Sequence, residues 1–115
     1  MEVRDILTKA RANVAAGWCQ GALGVNNKGH RLSASDLSSA VAVCAVGGMY
    51  KVATDAGMRD KTGQALDNAI REAWEQLKDA NMVPDVAEYN DAMGRTKDEV
   101  LALFDHAIIT APGQD

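Results

Sequence analysis

The short segment GWCQG, residues 17–21, contains side chains that could support chemistry. Cys19 could act as a nucleophile if a base lay within hydrogen-bond reach and N–H donors cradled a developing oxyanion. The polar side chains that could orient or activate it are Asn90, Asp91, His30 and His106. A thiol-dependent hydrolase or transferase using Cys19 is therefore one hypothesis. The other interpretation is that Cys19 is a small buried hydrophobic residue. We favour it because no glycine-flanked motif of a known cysteine hydrolase fits the sequence.

Polar and aromatic side chains from two places in the sequence could contribute to a binding site. The predicted binding residues are Trp18, Gln20, Tyr89, Asn90, Asp91 and Arg95. The carboxamide of Asn90 can both donate and accept hydrogen bonds. It could form the polar floor of a pocket near Trp18, or it could satisfy the backbone of a buried loop, which is the interpretation we favour. Asp91 and Arg95 could form an ion pair that stabilises the turn.

The sequence does not favour a metal or phosphate site. The potential metal ligands are Cys19, His30, Cys44 and His106. Structural zinc sites bring their ligands in close pairs such as C-x-x-C, and the chain contains no such pair. The glycines of GALGVNNKG lack the strand–loop–helix context of a phosphate-binding loop. We therefore predict neither a metal nor a cofactor.

Length and charge limit the classes of protein to which the chain can belong. Its 115 residues fit a single domain, 1–115, and its formal net charge is −4 with interspersed acids and bases. Nonspecific nucleic-acid binding is not expected, because it needs clustered cations to neutralise phosphates. No apolar run approaches the roughly 20 residues that span a bilayer, and the first residues lack a signal-peptide core. These features predict a cytoplasmic protein with no membrane association and reduced cysteines.

Hydrophobic periodicity predicts four helices. They cover residues 2–16, 35–57, 62–80 and 96–110, and a short capped turn beginning at Asp85 precedes the last one. Residues 17–34 break the helical pattern. The turn residues of GVNNKG within them are consistent with a short hairpin.

The predicted second helix is apolar on every face, which is typical of a helix surrounded by others. Ala40, Cys44 and Gly48 would form a line of small residues along it, at which another backbone could approach closely. Cys44 is therefore expected inside the protein.

These elements predict an all-α fold, a compact bundle of about four helices with a buried central helix and an irregular loop after the first helix. Trp18 and Cys19 are expected to turn inward and close one end of the bundle, with Gly17 and Gly21 allowing the chain to reverse. Because buried backbone groups need partners, the Asn90 side chain is predicted to hydrogen-bond the main chain of the 17–24 loop.

The segments GWCQGAL, VCAVGGM and YNDAMGRTKDEVLALFDHAI together resemble a family of small uncharacterised bacterial and bacteriophage proteins. The shared features are a Trp-Cys near the end of the first helix, a Cys in a central apolar helix, and a Trp-Asn-Asp segment that leads to Gly-Arg-Thr and a last helix. Tyr89 stands where the family pattern has Trp. The family has no assigned activity, so the resemblance supports the fold, and it implies an accessory role in a phage or mobile element.

Two functional hypotheses follow from the sequence. The first is a noncatalytic binding or interaction protein, whose partner is another protein or a second copy of itself. The alternative is the thiol-dependent enzyme built on Cys19. The sequence favours the noncatalytic protein, and a rapidly alkylated Cys19 near neutral pH would favour the enzyme.

Overall fold

The computed structural model describes residues 2–57 and 68–111. The longer elements in these ranges are α1 (Val3–Ala16), α2 (Ala45–Asp55), α3 (Asn68–Ala80), α4 (Val86–Asp91) and α5 (Lys97–Thr110). Three two-residue strands, β1 (Gly24–Val25), β2 (Arg31–Leu32) and β3 (Ala42–Val43), and a 3₁₀ helix at Leu37–Ser39 lie between α1 and α2. The chain is therefore mostly helical, with a small sheet inserted after the first helix.

The first helix follows its hydrophobic periodicity. Ile6, Leu7, Ala10 and Val14 lie on one face of α1 and are fully buried. The N–H of Gly17 donates to the carbonyls of Asn13 and Val14, and the chain then becomes extended. The predicted helix over residues 2–16 is confirmed to within one residue.

The predicted helix over residues 35–57 is wrong over its first ten residues. A 3₁₀ turn and strand β3 occupy that part of the chain, and α2 begins only at Ala45. Cys44 is the N-cap of α2, and its Sγ accepts a hydrogen bond from Gly47 N at 3.2 Å. Ala40 lies outside the helix, so the predicted line of Ala40, Cys44 and Gly48 does not exist. A continuous apolar run suits a buried strand as well as a buried helix, which explains the error.

The predicted hairpin after the first helix is confirmed. β1 and β2 pair antiparallel, with Gly24 opposite Leu32. At their turn the Asn26 side chain accepts hydrogen bonds from the N–H groups of Lys28 and His30. β3 pairs with the other edge of β1, which gives the strand order β2-β1-β3. The predicted all-α fold is therefore confirmed only in part, because the mostly helical chain also contains this three-stranded sheet.

The hydrophobic core lies around both α1 and α2, so α2 is not the single central helix that the sequence predicted. α1 packs against α2, α3 and α5, whereas α2 packs against α1, α3 and α4. The largest fully buried side chains in the described residues are Phe104, Ile6, Leu7, Leu37, Met49 and Leu77. With a Cα radius of gyration of 13.0 Å, the protein is as compact as a globular domain of about 100 residues.

The C-terminal half agrees with the predicted capped turn at Asp85 and with the predicted helix over residues 96–110. The Asp85 side chain accepts from Glu88 N and caps α4, and Thr96 and Glu99 form a reciprocal capping box at the start of α5. Residues 62–67, at the start of the predicted third helix, lie outside the described residues. Within the described ranges, none of the helices is both long enough and apolar enough to cross a bilayer.

Candidate functional site

The loop that contains Trp18 and Cys19 runs alongside strand β3. Val43 N donates to the Gly17 carbonyl at 2.9 Å, and Cys19 N donates to the Val43 carbonyl at 3.1 Å. These two bonds pair Trp18 with Val43 in a parallel bridge. A Cβ on Gly17 would collide with the Val41 carbonyl, so the close approach of the two chains requires glycine there.

Asn90 lies where α4 meets this loop, and it is fully buried. Its Oδ1 accepts from Trp18 Nε1 at 2.8 Å and from Ala45 N at 2.9 Å. Its Nδ2 donates to the Cys19 carbonyl at 3.1 Å and to Asp91 Oδ1 at 2.9 Å. The carboxamide therefore uses both donors and both acceptor positions. The prediction that Asn90 hydrogen-bonds the main chain of the 17–24 loop is confirmed.

The Asn90 carboxamide lies where the next backbone hydrogen bond of the parallel pair would form. In a parallel pair, the rung after the Cys19–Val43 bond would join the Cys19 carbonyl directly to Ala45 N–H. Asn90 donates to the first of these groups and accepts from the second. Its amide is inserted in the ladder at the point where β3 gives way to α2.

Gln20 and Asp91 complete the contact between the loop and α4. Gln20 Nε2 donates to the carbonyls of Asn90 and Ala92 at 2.9 and 3.1 Å. Asp91 Oδ1 accepts from Gly21 N at 3.0 Å. Trp18 is partly buried and packs against the hydrophobic core. The structure thus brings together Trp18, Gln20, Asn90 and Asp91, and their hydrogen bonds join parts of the chain to one another.

The surroundings of Cys19 disfavour a thiolate. Burial raises the pKa of the Cys19 thiol to about 11, and the electrostatic influence of Cys44 and Asp91 acts in the same direction. The thiol donates to the Ala22 carbonyl at 3.6 Å. His30 lies at the exposed turn of the hairpin, and His106 is exposed on α5. Of its predicted partners, Asn90 and Asp91 lie near Cys19, whereas the two candidate bases, His30 and His106, lie on separate surface elements.

Burial also raises the pKa of the Cys44 thiol, although the hydrogen bond from Gly47 N opposes this shift. Within residues 2–57 and 68–111, no group of three His, Cys, Asp or Glu side chains is arranged to hold a metal ion.

Tyr89 and Arg95 lie together on the outer side of α4. Arg95 Nε donates to the Tyr89 carbonyl at 2.8 Å, and the guanidinium carbon lies 3.6 Å from the centroid of the Tyr89 ring. Arg95 Nη1 lies 3.4 Å from Glu99 Oε2. This ion pair replaces the predicted pair between Asp91 and Arg95, since Asp91 faces the 17–21 loop.

A depression of about 190 Å³ opens beside this stacked pair. Its lining residues are Val83, Pro84, Asp85, Glu88, Tyr89, Ala92 and Arg95. Two nearly fully exposed methionines, Met82 and Met93, each adjoin a lining residue in the chain. We call these nine residues the α4 surface.

Sequence reasoning missed the methionines of the α4 surface. The available signal was an apolar residue inside each of two turn segments, NMVPD and DAMGR. Met82 also has a positive φ of 54°, a conformation that costs energy for a residue with a Cβ.

A second depression, of about 350 Å³, lies between α1 and α2. It is lined by Lys9, Ala12, Asn13, Val52, Asp55 and Ala56, and it includes none of the predicted site residues.

Comparison with known protein families identifies a relationship. The model of a family of unknown function, DUF6197, matches residues 1–110. No curated protein and no solved structure matches the chain. The expected relationship to a family without assigned function is thereby confirmed.

Proposed function

The chain belongs to DUF6197, a family of unknown function, and we propose that it is a noncatalytic binding protein that holds a segment of a partner protein on the α4 surface. The predicted site residues divide into two groups that support this proposal. Trp18, Gln20, Asn90 and Asp91 are engaged in internal hydrogen bonds. Tyr89 and Arg95 line a surface depression.

The observation that carries the proposal is the apolar character of the α4 surface. Met82 is 90% exposed and Met93 is 102% exposed, and each is adjacent in sequence to an apolar lining residue, Val83 or Ala92. Flexible, polarisable methionines are common on surfaces that bind other proteins. An aromatic residue stacked against an arginine provides a rigid contact of the kind enriched at interface hot spots.

Charge indicates the kind of partner. Asp85 and Glu88 contribute two carboxylates to the depression, whereas Arg95 already lies over Tyr89 and beside Glu99. We therefore assign the surface to a protein segment that presents an apolar side chain next to a lysine or arginine. Two copies of the chain meeting through this surface would bring like charges together, which disfavours self-association there.

Binding to a peptide library displayed on phage tests the proposal. We expect selection on the purified protein to enrich peptides with an apolar residue beside a cation. The variants Met93→Ser and Glu88→Lys should each weaken the binding of a selected peptide by about tenfold or more, or about 1.4 kcal/mol.

The controls are matched in exposure and chemistry. Ile109→Ser removes an exposed apolar side chain on α5, and Glu72→Lys reverses an exposed acid on α3. Both should leave peptide binding unchanged. Selected peptides that bind all four variants equally, or a dimer in sedimentation that Met93→Ser abolishes, would contradict the assignment.

The accessory role in a phage or mobile element remains a prediction that rests on the sequence resemblance. The neighbourhood of the gene tests it. Recurrent placement among phage structural or defence genes supports the role, and recurrent placement among metabolic genes contradicts it.

A further inference from the structure

Cys19 and Cys44 are neighbours across the parallel bridge. The bridge pairs Trp18 with Val43, and each cysteine is the next residue along its chain. Paired chains lie about 4.8 Å apart, which is within the Cα separation of about 4.4–6.8 Å that a disulfide requires. The chains diverge one residue later, where the Asn90 carboxamide is inserted between Cys19 O and Ala45 N.

The orientation of the two residues also suits a covalent link. Because successive side chains of an extended chain alternate in direction, Cys19 and Cys44 leave the same face of the pair, opposite to Trp18 and Val43. Cys44 has extended backbone angles, φ −82° and ψ 178°. Both thiols are free in the reduced protein, and Cys19 is the more accessible of the two.

We propose that Cys19 and Cys44 are a redox modification site, which a low-molecular-weight disulfide such as glutathione disulfide converts to an intramolecular disulfide. The Cys19 thiolate attacks one sulfur of the reagent and releases one thiol, which leaves a mixed disulfide on Cys19. The Cys44 thiolate then attacks the Cys19 sulfur and displaces the second thiol. Two protein thiols are oxidised and one reagent disulfide is reduced to two thiols.

The bond would covalently link two elements that hydrogen bonds join in the reduced protein. Cys44 Sγ caps α2 by accepting from Gly47 N, and Cys19 belongs to the loop that Asn90 holds. Oxidation would therefore tie the 17–24 loop to the start of α2. The midpoint of thermal unfolding should rise by about 10 °C, as expected for a disulfide that constrains the unfolded chain.

Mass spectrometry under non-reducing conditions tests the proposal. The folded wild-type protein is incubated with glutathione disulfide at mildly alkaline pH, where some thiolate is present. We expect the loss of two hydrogens, no retained glutathione, and a Cys19–Cys44 cross-link in the peptide map. Cys44→Ser should retain glutathione on Cys19, and Cys19→Ser should stay unmodified until it is unfolded.

Three results would overturn the proposal. The wild type could stop at the mixed disulfide, form a disulfide-linked dimer, or keep both thiols free while the same reagent modifies the unfolded chain. The unfolded wild type is the control that the reagent is active, and the two serine variants show which thiol reacts first.

Discussion

At the scale of single residues, Asn90 explains the unusual composition of residues 17–21. Its carboxamide is about the size of a peptide unit and takes the place of one rung between Cys19 and Ala45. The same oxygen accepts the indole N–H of Trp18, a group that must be satisfied when it is buried. Trp18 and Cys19 therefore form a packed junction between the loop, α2 and α4.

Replacing Asn90 should destabilise the protein. Asn90→Leu leaves Trp18 Nε1, Ala45 N and the Cys19 carbonyl without their partner, at about 1–3 kcal/mol for each buried group. Asn90→Asp cannot donate to the Cys19 carbonyl and places a second carboxylate beside Asp91. Chemical denaturation measures both effects. Asn27→Asp, at an exposed position in the hairpin turn, is the control and should stay near the wild-type midpoint.

The thiol of Cys19 should react slowly at neutral pH. With its pKa raised to about 11, roughly one thiol in ten thousand is ionised at pH 7. Alkylation of Cys19, read from its tryptic peptide by mass spectrometry, should accelerate about tenfold per pH unit up to about pH 11. In the unfolded chain the rate should level off near the ordinary pKa of 9.0. A plateau below pH 8 in the folded protein would indicate an activated cysteine and revive the enzymatic hypothesis.

The raised pKa of Cys19 also makes the stability of the folded protein depend on pH. Since the folded chain holds the Cys19 proton more tightly than the unfolded chain, the resulting stabilisation is present below pH 9 and is lost as the pH rises through about 11. The raised pKa of Cys44 acts in the same direction.

At the scale of elements, helices with clear signals were predictable and the region around α2 was not. α1 has a clean apolar stripe, and α5 begins with a capping box, so local patterns determine both. Residues 41–44 have no such local signal, because their conformation depends on pairing with Gly17–Cys19 and with β1. Those contacts join residues that are far apart in the sequence, and periodicity cannot reveal them.

Gly47 shows how a contact between distant parts of the chain determines which amino acid a position can hold. Gly47 lies in α2, where alanine would ordinarily favour the helix by about 1 kcal/mol. A Cβ there would collide with the Leu23 carbonyl, whose oxygen also accepts from Cys44 N. Gly47→Ala should therefore destabilise the protein by about 1–3 kcal/mol, as overpacking does.

Urea titration measures whether Gly47→Ala stabilises or destabilises the protein. Gly21→Ala is the comparison, since its added Cβ meets no atom within 4 Å but its φ is +78°. That variant should lose only the roughly 1–2 kcal/mol expected for a left-handed residue with a Cβ. A stabilised Gly47→Ala would show that the loop does not approach α2 as closely as described.

At the scale of the whole molecule, stability comes from the shared core and not from surface charges. Phe104 is fully buried, whereas its neighbour Asp105 pairs with Arg11 across α1 and α5 at half-exposed positions. Phe104→Ala should cost about 3–5 kcal/mol, and Asp105→Asn less than about 1 kcal/mol. Denaturant titration of the two variants compares them. A large loss of stability for Asp105→Asn would contradict this division. A loss of stability for Phe104→Ala that disappears in high salt would contradict it as well.

The candidate site was predictable as a list of residues but not as an arrangement. The sequence indicated Trp18, Gln20, Tyr89, Asn90, Asp91 and Arg95, because each is polar or aromatic beside turn residues. Whether a side chain serves the backbone or faces outward depends on how α4 lies against the loop. That placement follows from core packing of Val86 and Asn90, which separates Asn90 from the outer face occupied by Tyr89 and Arg95.

Native-state hydrogen exchange tests most directly the claim that Asn90 joins the loop, α2 and α4 into one unit. Two protons donated to Asn90 Oδ1, the Trp18 indole N–H and the Ala45 amide N–H, come from different elements and can both be followed by nitrogen-15 NMR. If the junction opens only with the whole protein, both protons exchange with the free energy of global unfolding. A Trp18 proton that exchanges freely while the Ala45 amide stays protected would show that the loop opens by itself and would contradict the account.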